Sequence, residues 1–115
     1  MNKYYLITEK CRDGDYEYYS YIPVSTTTPQ HKWDNNWQNL FLCWQYNCHT
    51  IDEYGLWSDT RIVSISEVKE ITFDEYNTLG KLTTDHFKLN EILEEGRETW
   101  VEYQLQEQLL TTHQS

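Results

Sequence analysis

Between Trp57 and Leu82 the chain changes period, and this stretch restricts its possible folds more than any other. Arg61-Ile62-Val63-Ser64-Ile65 is rich in β-branched residues, which suit a pleated strand. Thr72-Phe73-Asp74-Glu75 then carries the pattern of a capped helix start. The Thr72 hydroxyl can accept from the amide of residue 75, the Glu75 carboxylate can reach back to the amide of Thr72, and Ile71 can staple onto Tyr76 across the junction. Gly80 marks the expected end of a short helix over Phe73–Leu79. A strand that runs almost directly into a capped helix calls for a sheet with helices packed against it.

The upstream sequence supplies the rest of that sheet. Lys3 to Glu9 is aromatic and branched and reads as a strand, and Arg12-Asp13-Gly14-Asp15 is a turn in which Asp-Gly tolerates positive φ. Tyr16 to Val24 resumes the strand pattern, so the first two strands are antiparallel neighbours. Period-two alternation puts Tyr16 and Tyr18 on one face and Tyr19 and Tyr21 on the other. One face is expected to pack on helices, leaving the other partly exposed. Pro23 lacks a ladder donor and suits an edge or a strand end.

Pro29 fits the first turn of a helix. Trp33, Trp37, Leu40, Phe41, Trp44 and Cys48 recur at helical spacing, predicting a helix over 30–48, although the apolar run 40–46 is also compatible with a strand. His49 to Gly55 reads as a polar loop, Leu56-Trp57 as the beginning of the third strand before Ser58-Asp59 turns the chain into Arg61 to Ile65, and Ser66 to Glu70 as a connection in which Val68 plugs the edge of the core. Thr84-Asp85 is a second helix start. Leu89, Ile92, Leu93, Gly96, Trp100 and Tyr103 then form one stripe, which predicts a long helix from 86 to 108 with Gly96 at a close contact or a break. Residues 1–110 read as one α+β domain, with a three-stranded antiparallel sheet in β-β-α-β-α order and a long acidic C-terminal helix. Thr111–Ser115 reads as a frayed tail.

Apolar residues are only 38% of the chain but aromatics are 16%, so ten Tyr, five Trp and three Phe must carry the burial. The net charge of −10 is uneven: residues 1–50 hold four Lys/Arg against five Asp/Glu, and residues 51–115 hold five against fourteen. Such a surface repels phosphate backbones and anionic lipid, which argues against direct nucleic-acid or membrane binding. Residues 13–24, which hold the tyrosines, contain no basic side chain to support base stacking. The three cysteines, Cys11, Cys43 and Cys48, are an odd number behind no apolar leader at Met1-Asn2-Lys3, predicting reduced thiols in the cytoplasm. No run approaches the roughly 18 apolar residues of a membrane span.

No pattern carries chemistry. Cys43, Cys48 and His49, with Cys11 or His31 as a fourth ligand, have suitable donor atoms for zinc but lack the second closely spaced pair of a structural site. A nucleophilic Cys with a His partner has no orienting context. Asp13, Asp15 and Glu17 share letters with a calcium loop but lack its twelfth-position acid and flanking helices. The four glycines are isolated, which excludes a phosphate-cradling loop. No catalytic residue, cofactor or metal is therefore expected.

The segment Ile62-Val63-Ser64-Ile65-Ser66-Glu67-Val68-Lys69-Glu70-Ile71-Thr72-Phe73-Asp74-Glu75-Tyr76 resembles the ending of small uncharacterised bacterial, cyanobacterial and phage proteins. The resemblance covers residues 3–82, implies the β-β-α-β-α order and brings no activity. The sequence thus points to a non-enzymatic acidic protein acting through protein contacts. Its candidate contact residues are Tyr16, Tyr18, Tyr19 and Tyr21 on the hairpin and Glu94, Glu95, Glu98 and Glu102 on the acidic helix, the latter facing a basic partner. The alternative is an acidic inhibitor, of phage or defence origin, that places carboxylates where phosphates would sit on a nucleic-acid-binding protein. A small Cys/His enzyme is a distant third.

Overall fold

The computed structural model describes residues 2–46, 50–52, 55–58, 61–83 and 87–113. It is α+β. Strands β1 (Lys3–Asp13), β2 (Tyr16–Thr26) and β5 (Arg61–Ile71) are eleven residues each and form the centre of the sheet. With the short strands β3 (Thr50–Asp52), β4 (Gly55–Ser58) and β6 (Phe87–Lys88), the order is β3-β4-β5-β1-β2-β6. All neighbours are antiparallel except β6, which runs parallel to β2 at Val24 and Ser25. The helices are α1 (Trp37–Gln45), α2 (Phe73–Thr83) and α3 (Leu89–His113), with a single 3-10 turn at Gln30–Lys32.

Several expectations change. The sheet has more than three strands, because the expected loop from His49 to Gly55 contains β3, and Gly55–Ser58 pairs as a separate strand between β3 and β5. Ser66 to Glu70 is strand rather than connection: β1 pairs with β5 from Arg61 to Ile71 on both sides of the bulged Ser66, so the exposed Glu67, Lys69 and Glu70 still find ladder partners. The helix expected over 30–48 is a 3-10 turn followed by α1. Trp33 turns extended at φ −66°, ψ 152°, while Asp34 accepts from the amides of Asn36 (side-chain oxygen, 2.8 Å) and Trp37 (carbonyl, 2.9 Å), starting a new helix. Of the run 40–46, compatible by sequence with helix or strand, residues 40–45 are helical and Tyr46 is extended at the helix end. α2 runs through Gly80 to Thr83, with Gly80 buried. The start signal at Thr84-Asp85 lies outside the described residues.

The hairpin turn also sits one residue later than Asp-Gly suggests. Asp13 pairs with Tyr16, leaving Gly14 (φ 61°) and Asp15 as the two turn residues, so the glycine takes the left-handed first position.

The sheet's two faces differ. On one, Tyr5, Ile7 and Cys11 of β1, Ile22 and Val24 of β2 and Val63 of β5 pack under α1 and α3 with Phe41, Leu42, Leu89 and Ile92. The aromatic content does what composition requires: rings run in contact from Tyr5 through Trp33, Trp37, Phe41 and Trp44 to Phe87, with centroid separations of 4.9, 5.0, 6.4, 5.6 and 5.3 Å. Gly96 is a close contact, not a break. It is buried against α1 where any Cβ would strike the Leu40 carbonyl. On the opposite face α2 covers only one end, where Phe73 and Tyr76 pack on Tyr4 at 5.4 and 4.9 Å.

Candidate interaction surface

Tyr16 to Tyr21 occupy the part of β2 that α2 and β6 leave uncovered. Tyr16, Tyr19 and Tyr21 are 69%, 48% and 57% exposed, whereas Tyr18 is half-buried against the core beneath the helices. The four tyrosines therefore do not form one patch. Tyr16 stacks near Tyr18 at 5.7 Å toward the helix-covered side, and alternation sends Tyr19 and Tyr21 to the open face.

Register decides the company of that open pair. Tyr19 lies opposite Lys10, Glu17 opposite Arg12 and Tyr21 opposite Thr8. Lys10 pairs with Glu17 at 3.5 Å, and a shallow groove between the strands is lined by Lys10, Arg12, Glu17, Ile62 and Ser64. The absence of basic residues from 13–24 is thus offset by the neighbouring strand, which sets Lys10 opposite Tyr19 and Arg12 opposite Glu17 on the same face. A linear window has no access to a cross-strand pair. The signal that could have found it is the two-residue turn, which fixes the register once placed at Gly14-Asp15.

On α3, Glu94, Glu95, Glu98 and Glu102 are all exposed. Arg97, the cation within that row, reaches away to Asp34 at 3.2 Å. The row is therefore left without the partial neutralisation its sequence neighbour suggests.

One buried group escaped the sequence analysis. Glu9 is 0% exposed, and neither of its carboxylate oxygens finds a hydrogen-bond partner of good geometry. It follows Tyr5 and Ile7 in the inward alternation of β1, which was the available signal. Its pKa is pushed from 4.5 to about 7 by burial, with Gln45 and Tyr46 close enough to pull it partly back. Gln45 Oε1 is likewise buried without a partner. The β1–β5 register slips here, from Thr8↔Glu67 to Glu9↔Ile65, leaving Ser66 as an extra residue on β5. A protonated Glu9 can donate to one such acceptor, so the neutral form is chemically at home and the anion is not.

Cys11 and Cys43 are both buried, at 1% and 2% exposure; Cys48 and His49 lie outside the described residues. Among the described residues no three His, Cys, Asp or Glu side chains gather as a metal site, and no helix is long and apolar enough to cross a membrane. No protein-family model, curated protein or solved structure matches the chain.

Proposed function

We propose that this chain is a non-enzymatic protein-binding domain whose contact surface is the open sheet face around Tyr19 and Tyr21. The observation that carries this is two half-exposed rings on the long β1–β2 strand pair, with Lys10 opposite Tyr19 and Arg12 on the same face opposite Glu17. Tyrosine offers large contact area at low entropic cost, and flanking cations favour a partner with carboxylates at its rim. Catalysis is the weaker use of this architecture: Glu9, whose pKa is best suited to proton transfer near neutrality, is sealed from solvent.

The second reading is the acidic inhibitor, and what favours it is the diversion of Arg97 to Asp34, which leaves Glu94, Glu95, Glu98 and Glu102 facing solvent. The two readings separate in one experiment: affinity capture from lysate, followed by measured binding to the recovered protein, for the parent, a Tyr19→Ser/Tyr21→Ser variant and a Glu94→Gln/Glu95→Gln/Glu98→Gln variant. Loss of at least tenfold in affinity with the tyrosine variant alone supports the sheet face. Loss confined to the glutamine variant, with an association rate that falls steeply with salt, supports the inhibitor. Unchanged binding by both variants overturns both.

A further inference from the structure

The outer edge of β2 leads to a further conclusion that is independent of the sheet-face partner, because it rests on backbone groups. The β1–β2 ladder closes on Asp13 and Tyr16 across a two-residue turn and continues without a bulge to Lys3 and Thr26. In such a ladder Tyr16, Tyr18, Ser20 and Ile22 bond inward to β1, so the N–H and C=O groups of Glu17, Tyr19 and Tyr21 point away from it. Pro23 has the same parity, so its missing N–H costs the ladder nothing. Among the described residues nothing pairs with β2 before Val24, where β6 begins. A seven-residue edge, Tyr16–Ile22, is therefore open. It has none of the usual guards, neither lysine, proline nor bulge, and its one charged residue, Glu17, is already paired with Lys10.

We propose that this edge pairs antiparallel with the same edge of a second copy, about a twofold axis at Tyr19. The segment is self-complementary about that residue. Residues 16–22 are centred on Tyr19, and so are the three outward-facing residues 17, 19 and 21. With Tyr19 opposite its own copy and Glu17 opposite Tyr21 of the other chain, every outward N–H and C=O gains a partner. No like charges meet, even though each chain carries −10. Moving the register by two residues toward the C-terminus would set Pro23 against Glu17 and lose a donor. The partner strands end where Pro23 and β6 begin. On the open face the junction brings the Tyr19 rings of the two copies side by side; on the other it sets Tyr16 against Ile22. The three exposed rings offer roughly 350 Å² per chain, well below the ~800 Å² per partner of a standard interface, so the dimer is weak and reversible.

Sedimentation over a concentration series tests this, combined with amide hydrogen exchange. The expected result is a monomer–dimer equilibrium with a dissociation constant on the order of 10 µM or above, and protection of the Glu17, Tyr19 and Tyr21 amides that rises with protein concentration. Tyr19→Lys, which sets like charges face to face on the axis, weakens the dimer at least tenfold, while Tyr19→Thr, with equal strand preference and no charge, keeps it within about threefold. Circular dichroism confirms that both variants fold. A monomer at every concentration with these amides unprotected overturns the proposal and leaves the edge for a strand of another protein. A dimer in which the three amides stay unprotected and Tyr19→Lys changes nothing overturns it equally.

Discussion

Helices α1 and α2 are similar in length, nine and eleven residues, and are held in place by different means. α2 starts where its own residues dictate. The amide of Glu75 donates to the Thr72 hydroxyl and the amide of Thr72 donates to the Glu75 carboxylate, both at 3.1 Å. α1 has no side-chain cap from Asn36 and no acid in its first turn; past the turn at Asp34 that precedes it, it is fixed by what it touches. Gly96 admits its backbone at Leu40, its rings join the aromatic chain, and its last turn lies near the buried Glu9. Local chemistry sets a boundary and contributes little energy; tertiary contact sets a position on which the whole fold depends.

The contrast is broken most severely at Gly96. Gly96→Val drives its side chain into the Leu40 carbonyl, a backbone group that cannot move aside, and should cost more than about 3 kcal/mol despite removing a helix glycine. Urea denaturation measures it, and a midpoint equal to the parent's would show that the two helices do not depend on this contact.

Glu9 comes next. Below pH 4.5 its carboxyl is protonated whether the chain is folded or not. Between 4.5 and about 7 the unfolded chain releases the proton while the folded one keeps it, so stability falls across that window by about 3 kcal/mol and is flat above it. Glu9→Gln should abolish the slope and make the variant the more stable protein at pH 8. A parent whose urea midpoint is unchanged from pH 5 to pH 8 would show that the folded state accommodates the anion.

At the α2 start the effects are smaller. Thr72→Ala should cost about 1 kcal/mol in the same urea assay without altering the fold, by leaving the Glu75 amide without its cap. The smallest effect belongs to Glu75. Its hydrogen bonds to the backbone and side chain of Thr72 hold its pKa below 4.5, so it has the opposite sign to Glu9: its contribution is present above pH 4.5 and is lost as the pH falls below it. Glu75→Gln should remove that acid-side loss alone, visible as a flatter melting-temperature profile below pH 4.5.

The residues that sequence placed well act on their immediate neighbours. The capping box, the two hairpin strands, the alternation that divides the tyrosines between two faces and the stripe Leu89, Ile92, Leu93 and Gly96 all depend on residues a few positions apart, and periodicity reports them faithfully. Gly96 was legible as a contact or a break but not as which, because the answer lies with Leu40 on another helix. The candidate surface was legible as residue types only: whether Tyr18 is covered, whether Tyr19 stands beside a lysine, and whether Arg97 screens its glutamates are set by cross-strand register and by a salt bridge to Asp34. Glu9 looks like any strand glutamate until α1 is laid near it.

What the sequence determined by itself is the set of elements with local signatures: two strands joined at Gly14, a strand leading to a helix at Thr72, and a long acidic helix. The tertiary structure alone decided that β3 and β6 widen the sheet, that Leu56-Trp57 belongs to a strand of its own, that Ser66 to Glu70 is strand, and that among the described residues only β6 pairs with the outer edge of β2. The physical reason is that a strand's hydrogen bonds are made to a neighbour remote in sequence, whereas a helix and its cap satisfy their own backbone within four residues.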